Sequence, residues 1–205
     1  MAGLGQELEV KFLVCSLDKV EQKLQALGAV LVQPRQYENN LRFDTPDRRL
    51  THRLAALRLR QDNEARMTYK GPPLDKGGAR LRQELEFVVS DFAMARAFLE
   101  ALGYQVVVMY EKYRATYALG ETLVTLDEMP FGLFVEVEGK GARIIRQVSK
   151  QIDLRWELRC LDSYLTLFER LRQVRRLQFT DLSFANFAGM TTSLEELGLH
   201  CADLR

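Results

Sequence analysis

The chain has 205 residues, enough for one large or two small domains, and 47% of them are hydrophobic, as in an ordinary globular protein. Its net charge of +1 argues against nucleic acid as a partner, and no apolar stretch is long enough to span a membrane. The three cysteines are scattered and odd in number, so we expect reduced thiols in a cytoplasmic protein, without a disulfide framework or a zinc site. Two histidines argue against histidine-based catalysis, and the chain contains neither a Walker A sequence nor a dinucleotide fingerprint. The first residues lack a basic region followed by an apolar one, so we expect no signal peptide.

The first predicted elements are a strand, a helix and a second strand. The first strand covers residues 7–10. A helix with a regular apolar stripe follows, which Ser16 can cap and Gly28 ends. The next strand covers residues 29–32. This order predicts one unit of a mixed helix and strand fold.

The same order of elements occurs again further along the chain. A strand at residues 84–87 precedes a helix that Ser90 or Asp91 caps and Gly103 ends, and a strand at residues 105–109 follows. A duplicated unit of this kind tends to close on itself with rough two-fold symmetry. We therefore predict an α+β fold: an internally pseudo-duplicated, eight-stranded antiparallel β-barrel with helices packed outside.

The remaining segments are assigned from composition and apolar spacing. Residues 71–80 are rich in glycine and proline and predict a loop between the two copies. Residues 144–152 and 162–174 are predicted to be helical. The whole is expected to be a single domain over residues 1–190, followed by a C-terminal tail over residues 191–205 that is either a peripheral helix or loose.

Charged and apolar residues alternate along most of the predicted strands, which places the charges of each strand on one face. One such run is most often a solvated sheet face. Repeated over many strands with both signs of charge, the pattern favours a charged interior that holds a metal ion and a polyanion. The close carboxylate pairs that a bound cation would stabilise are Glu7/Glu9, Glu84/Glu86 and Glu136/Glu138.

The opening Glu7-x-Glu9-x-Lys11 resembles the ExExK signature of the CYTH superfamily, the triphosphate tunnel metalloenzymes. This superfamily includes class IV adenylyl cyclases, thiamine triphosphatases and inorganic triphosphatases. The motif alone is a weak pattern, but further segments match in the order of the family, and the implied fold is an eight-stranded antiparallel tunnel. The matching segments are residues 40–47, 57–60, 68–72, 82–86, 110–114, 126–132 and 134–139.

The resemblance implies that carboxylates bind Mg²⁺ or Mn²⁺, since oxygen ligands suit hard cations, and that basic residues cradle a triphosphate. The implied metal ligands are Glu7, Glu9, Glu136 and Glu138, together with Asp127, which also lies near the reacting phosphate. The implied substrate-binding residues are Lys11, Arg58, Arg60, Lys70, Lys112 and Arg114, with Arg82 as a further candidate. The candidate catalytic residues are Lys11, Arg60 and Asp127. For Glu84 and Glu86, a structural role is as well supported as a ligand role.

The first functional hypothesis is a metal-dependent triphosphatase that acts on inorganic triphosphate or a triphosphate monoester. The second is a class IV adenylyl cyclase that converts ATP to cyclic AMP and pyrophosphate, although no residue is identified that reads adenine. The third is a non-catalytic module that binds polyphosphate or a nucleotide; the presence of all the carboxylate pairs argues against it. In each case the expected partner is a small triphosphate, not nucleic acid or a membrane, and the oligomeric state is left open.

Overall fold

The structure is a computed structural model that describes residues 5–203, and for Gln6, Glu7 and Leu194 it describes the backbone only. Within the described residues, all strands belong to one antiparallel sheet. The strands are β1 (Gly5–Val14), β2 (Val30–Asp44), β3 (Ala56–Gln61), β4 (Ala65–Lys70), β5 (Leu74–Lys76), β6 (Ala79–Val89), β7 (Gln105–Leu119), β8 (Thr122–Met129), β9 (Gly132–Glu138) and β10 (Arg159–Cys160). The helices are α1 (Leu17–Ala26), α2 (Arg49–His52), α3 (Phe92–Ala101), α4 (Ala142–Gln151), α5 (Tyr164–Arg175) and α6 (Leu194–Leu197), with a short 3-10 helix at Trp156–Leu158.

Eight of these strands close into a ring in the order β1, β9, β8, β7, β2, β3, β4 and β6, and β6 pairs back to β1. The strands are not evenly spaced around an axis. The short strands β5 and β10 lie outside the ring, on β6 and β1 respectively. The predicted α+β barrel with external helices is confirmed. No helix in the described part of the chain is long and apolar enough to cross a membrane.

The internal repeat is present as a strand, a helix and three strands, first β1-α1-β2-β3-β4 and then β6-α3-β7-β8-β9. The Ser16 side chain caps α1 and the Asp91 side chain caps α3, which decides between the two candidate caps of the second helix. Gly28 and Gly103 follow the two helices with φ of 75° and 88°, a conformation that glycine adopts without a steric penalty. The strands predicted at residues 29–32 and 105–109 are the beginnings of the 15-residue strands β2 and β7.

The segment at residues 71–80 is not a continuous loop as predicted. Leu74–Lys76 form β5, and Ala79 and Arg80 already belong to β6. Gly77 and Gly78, with φ of 66° and 79°, make the tight turn that joins the two strands. The glycines that suggested a loop therefore form the turn of a hairpin.

Two of the three apolar clusters pack on the outer face of the ring, against the helices. Val10, Val20 and Ile145 belong to a cluster between the wall and α1 and α4. Leu13 and Leu167 belong to a second cluster under α5 and the C-terminal segment, which packs on the inner face, because Leu13 is in phase with Lys11 on β1. A third, smaller cluster lies under α3. Because two clusters lie outside the ring and the cluster under α5 takes only part of the inner face, the rest of the inner face is left to polar side chains.

The C-terminal segment is docked onto the ring. Cys201 forms a disulfide with Cys15 at the end of β1, and Ala202 N–H donates to the Leu13 carbonyl at 2.8 Å. The side chain of Asp203 accepts hydrogen bonds from the backbone N–H groups of Cys15 and Ser16. The prediction that these cysteines are reduced thiols is wrong for Cys15 and Cys201, because the fold brings together residues that are 186 positions apart. Cys160 is a buried free thiol. The cysteines therefore no longer support a cytoplasmic location.

Candidate active site

The inner face of the ring encloses a cavity of about 460 Å³. On β1, the side chains of Glu9 and Lys11 line this cavity, whereas Leu8 and Val10 are buried in the outer cluster. The same alternation places Arg58 inside, with its apolar neighbours on the outer face. The predicted strand register, with charges inward, is confirmed for these strands.

Most of the site residues expected from the sequence meet in this cavity. Asp127 does not line it, because it is fully buried in the wall. The side chain of Glu7 lies outside the described residues, although its backbone is part of β1. The expected residues that line the cavity are Glu9, Lys11, Arg58, Arg60, Lys70, Arg82, Glu84, Glu86, Lys112, Arg114, Glu136 and Glu138.

Three charged cavity residues were not expected from the sequence: Arg80 on β6, and the pair Glu38 and Arg42 on β2. Glu38 is 1% exposed. The alternation along β2 would have found both, since they are in phase on one strand face and the matching segment at residues 40–47 includes Arg42. With them, nine cationic and six acidic side chains line the cavity among the described residues. This excess of positive charge favours a polyanionic ligand.

One group of charged residues, the buried cluster, consists of Lys11, Arg114, Asp127, Glu136 and Tyr164. Lys11 Nζ lies 2.6 Å from Glu136 Oε1, and Arg114 bridges Glu136 and Asp127. The hydroxyl of Tyr164, at the start of α5, donates to Asp127 Oδ2 at 2.7 Å, and Lys11 Nζ lies 4.2 Å from the centre of the Tyr164 ring. Every charge in this cluster has a close partner.

The pKa values in the buried cluster keep its charges fixed. Burial alone would raise the pKa of Glu136, but Lys11 and Arg114 outweigh it and hold the pKa well below its usual range. Burial would likewise lower the pKa of Lys11, but Glu136 and Glu9 raise it overall. Burial and the nearby carboxylates Asp127 and Glu136 raise the pKa of Tyr164, so its proton stays on the hydroxyl.

The second group, the arginine cluster, consists of Arg58, Arg60, Glu38, Glu86 and Tyr110. Its ion pairs are longer: Arg58 lies 3.3 Å from Glu86, and Arg60 lies 3.2 Å from Asp62, 3.6 Å from Glu86 and 3.8 Å from Glu38. Arg58 also lies 3.4 Å from the Tyr110 hydroxyl. Neither carboxylate oxygen of Glu38 accepts a hydrogen bond within the described residues. The cations of this cluster are therefore less well neutralised than those of the buried cluster.

The pKa shifts differ between the two arginines of this cluster: burial would lower the pKa of Arg58, but Tyr110, Glu38 and Glu86 raise it overall. Burial lowers the pKa of Arg60, and the like charge of Arg58 lowers it further. Burial would raise the pKa of Glu38, but Lys112, Arg114 and Arg60 lower it to about 2. Lys112 connects the two clusters, with Nζ 3.5 Å from Glu38 and 3.3 Å from Asp127. Of the two arginines, Arg60 is therefore the one whose charge is less well compensated.

The carboxylates next to the buried cluster fit a hard divalent cation. Glu9 and Glu138 both line the cavity and are directly paired in the register of β1 and β9, where two like charges repel each other. A cation between them would remove this repulsion, and carboxylate oxygens are the ligands that Mg²⁺ and Mn²⁺ prefer. Glu136 is less suited, because Lys11 and Arg114 already occupy its two oxygens. Asp127 is also less suited as a metal ligand, because it is paired with Arg114 and accepts a hydrogen bond from Tyr164.

A family model of the CYTH domain matches residues 5–155, which include all the strands of the ring and the predicted site residues. The chain belongs to the CYTH domain family. Within this CYTH domain, the strand that carries the ExExK motif (β1) and the strand that carries the paired arginines (β3) belong to one closed wall, with β4 and β6 between them.

Relatives of this CYTH domain include a Methanocaldococcus jannaschii protein named as a putative adenylate cyclase, which is 29% identical over 154 residues, or 74% of this chain and 86% of the relative. A solved structure of a putative adenylate cyclase from Vibrio parahaemolyticus superposes with a TM-score of 0.72 at 23% identity, over 80% of this chain and 97% of that one. A Hippeastrum protein, named as a putative adenylyl cyclase and described as having a dominant triphosphatase activity, superposes with a TM-score of 0.61 at 18% identity, over 80% and 95% of the two chains. Both structures agree with this chain in fold.

Proposed function

We propose that this CYTH domain is a divalent-metal-dependent triphosphatase that hydrolyses inorganic triphosphate or a triphosphate monoester. The observation that carries the proposal is the enclosed cavity, in which nine cationic side chains of the described chain outnumber six carboxylates. A linear triphosphate carries several negative charges at neutral pH and would compensate for this excess. Phosphoryl transfer depends mainly on positioning and on stabilising negative charge, which such a cavity can supply.

In this proposal the arginine cluster binds the phosphates. Arg58 and Arg60 present guanidinium groups that can form two parallel hydrogen bonds to one phosphate group. Their longer contacts with Glu86 are exchanged for phosphate oxygens when substrate enters. Lys70 and Arg82, which also line the cavity, add positive charge along the chain of phosphates.

Glu9 and Glu138 are the proposed metal ligands, and a bound Mg²⁺ or Mn²⁺ would neutralise phosphate charge and lower the pKa of a water molecule. In the reaction, a water oxygen forms a bond to the terminal phosphorus, the bridging bond breaks, and phosphate and a diphosphate product leave. The Lys11 ammonium, held by Glu136, and Arg114 stabilise the negative charge that develops. Asp127 is proposed as a positioning residue that orients Arg114 and Lys112.

The second candidate is an adenylyl cyclase, which the names of two relatives favour. In that reaction the ribose 3′-hydroxyl of ATP attacks the α-phosphorus and pyrophosphate leaves. The aromatic rings among the described cavity residues are Tyr110 and Tyr164, and the hydroxyl groups of both are hydrogen-bonded to other side chains of the wall. Two other aromatic rings are also held by neighbouring rings: Tyr37 contacts Tyr113, and Phe131 is buried against Phe134 in the cluster under α5. The absence of an open aromatic surface among these residues favours the triphosphatase.

The test is an assay of the purified protein with Mg²⁺ or Mn²⁺ and inorganic triphosphate, thiamine triphosphate or ATP, in which phosphate and cyclic AMP are both measured. We expect metal-dependent phosphate release and no cyclic AMP. Glu9→Gln and Glu138→Gln should abolish turnover, whereas the matched control Glu121→Gln, an exposed glutamate paired with Lys140, should retain it. Cyclic AMP as the main product would favour the cyclase, and triphosphate binding without turnover would favour a non-catalytic module.

A further inference from the structure

Tyr164 brings an aromatic ring into the cavity from a part of the chain beyond residues 5–155, the range that the CYTH family model matches. It is the first residue of α5, and it lines the cavity among the charged side chains of the strands. It was not among the site residues expected from the sequence. The cavity is therefore completed by the C-terminal part of the chain.

The local structure at the start of α5 fixes the position of the Tyr164 ring. The Ser163 side chain accepts a hydrogen bond from the Thr166 N–H at 3.1 Å and caps the helix directly before Tyr164. One turn later, Leu167 is buried on the same face of the helix. The ring itself meets Phe134 of β9 in an edge-to-face arrangement, with 5.1 Å between the ring centres. The ring is thus held by its own helix and by the wall.

Two lysine ammonium groups lie over the Tyr164 ring. Lys11 Nζ is 4.2 Å from the ring centre, and Lys112 Nζ is 5.7 Å from it. Both distances are within the roughly 6 Å at which the negative face of an aromatic ring attracts a cation. Lys11 is 4% exposed and Lys112 is 2% exposed, so water screens these contacts only weakly. The ring therefore has an electrostatic role in addition to its packing.

The other contacts of Tyr164 and Lys11 restrict how the ring and the ammonium group can move. The Tyr164 hydroxyl donates to Asp127 Oδ2 at 2.7 Å, which anchors the far end of the ring in the wall. Lys11 Nζ lies 2.6 Å from Glu136 Oε1. A lysine side chain is a flexible stem with a point charge at its end, so a carboxylate alone fixes its direction poorly. Together, Glu136 and the ring face define one place for the ammonium group.

We propose that Tyr164 is a positioning residue, whose ring holds the Lys11 ammonium group where it meets the phosphates of the substrate. Lys112, which is further from the ring centre, is held more weakly in the same way. The inference rests on the proposed function, in which Lys11 stabilises the negative charge that develops during hydrolysis. It adds to that function a requirement for an aromatic ring face at position 164.

The first experiment detects the contact without using the reaction. Protons over the face of an aromatic ring are shifted upfield in a nuclear magnetic resonance spectrum. In protein with isotope-labelled lysine, we therefore expect an upfield signal from the ε-methylene protons of Lys11, which is assigned by its loss in Lys11→Arg. The shift should remain in Tyr164→Phe, which keeps the ring, and disappear in Tyr164→Leu. A Lys11 signal at the ordinary lysine position in the wild type would overturn the proposal.

The second experiment changes only the charge distribution of the ring. Phenylalanine and a series of fluorinated phenylalanines are placed at position 164, because each added fluorine weakens the negative ring face with little change in shape. The kcat for inorganic triphosphate should fall with each fluorine, by on the order of tenfold over the series, as expected for a desolvated contact between a cation and a ring. Because Lys11 acts on charge that develops in the reaction, kcat should fall more than KM rises.

The matched control is the same fluorinated series at Phe187, a buried ring of the cluster under α5 that packs against Phe131, Phe168 and Phe179. It should leave kcat unchanged. A constant kcat over the series at position 164, or an equal fall in the Phe187 series, would overturn the positioning role. These rings keep the shape of the side chain, so the test does not depend on whether Tyr164→Leu folds.

Failure of the proposed function gives a different result, namely a wild type that hydrolyses no triphosphate. The position of the Lys11 signal then still decides whether the ring holds the ammonium group. Calorimetric titration of the same series with inorganic triphosphate decides whether this contact supports phosphate binding. We expect an affinity that falls with each fluorine at position 164, and a constant affinity would overturn the proposal.

Discussion

The buried cluster and the arginine cluster use similar residues but pair them differently. In the buried cluster, Lys11 and Arg114 contact their carboxylates at short range, and Asp127 is 0% exposed. In the arginine cluster, the contacts of Arg58 and Arg60 with Glu86 are longer, and 31% of the Glu86 side chain is exposed. The first arrangement is complete without a ligand, whereas the second can exchange its partners. The comparison suggests that one side of the ring is built for stability and the other for binding.

The largest expected effect on the free energy of unfolding is that of removing the Asp127 carboxylate from the buried cluster. Asp127→Asn keeps the shape of the side chain but leaves the buried cations Arg114 and Lys112 without one of their counter-charges. We expect the free energy of unfolding to fall by about 3–5 kcal/mol, the range for a broken buried ion pair. Urea denaturation measures this. A loss of less than about 1 kcal/mol would mean that Asp127 is not the centre of a structural network.

The contribution of Glu38 to the free energy of unfolding should be measurable from the dependence of stability on pH. Its pKa is lowered in the folded protein to about 2 from a usual value of 4.5, because the nearby cations outweigh the effect of burial. The stabilisation is therefore fully present above about pH 4.5 and is lost as the pH falls towards 2, and amounts to on the order of 3 kcal/mol. Glu38→Gln should be less stable than the wild type at neutral pH, and the difference should shrink through this window.

The control for this titration is Glu121→Gln, whose carboxylate is exposed to solvent. Its stability should follow that of the wild type across the whole range of pH. A constant difference between Glu38→Gln and the wild type from pH 5 to pH 2 would show that Glu38 is not held ionised by the cations.

Ligand binding should depend most on the arginine cluster. Arg60→Ala should weaken binding of inorganic triphosphate by about 1.5–3 kcal/mol, the range for hydrogen bonds to charged groups. Arg60→Lys should recover part of the loss, because lysine keeps the charge without the planar fork. Calorimetric titration with triphosphate, and with monophosphate for comparison, measures both. Equal weak binding of the two ligands by the wild type would contradict the proposed cradle.

The smallest expected effect is that of Glu86→Gln. Glu86 is partly exposed and competes with phosphate for Arg58 and Arg60, so its neutralisation should change stability by less than about 1 kcal/mol. The same change should tighten triphosphate binding several-fold, because two arginines are released from a carboxylate. Weaker binding in this variant would instead assign Glu86 a ligand role, one of the two roles that the sequence left open.

The sequence predicted the ring because alternation fixes which face of each strand is polar, and the repeat fixes the order of strands. It also placed most of the cavity residues, since a strand such as β1 puts Glu9 and Lys11 on the same face. It did not predict that Asp127 is covered by Tyr164, because α5 contributes that residue from a distant part of the chain. The Cys15–Cys201 disulfide was missed for the same reason. Contacts between distant segments depend on the packing of the whole domain, which local patterns do not contain.

The Cys15–Cys201 disulfide also has a mechanical consequence. It closes a covalent loop between two residues that are 186 positions apart in the sequence. A force applied to the two ends of the chain therefore passes through the segments outside the loop and through the disulfide bond, and not through the chain inside the loop. Fully extended, the chain between these two cysteines, 186 positions apart, would span about 610–670 Å, at roughly 3.3–3.6 Å per residue. While the bond is intact, this length cannot be pulled out, and a molecular motor that threads the chain from one end would meet a ring instead of a linear chain. Reduction of the bond would turn the same domain into one that unravels from its ends.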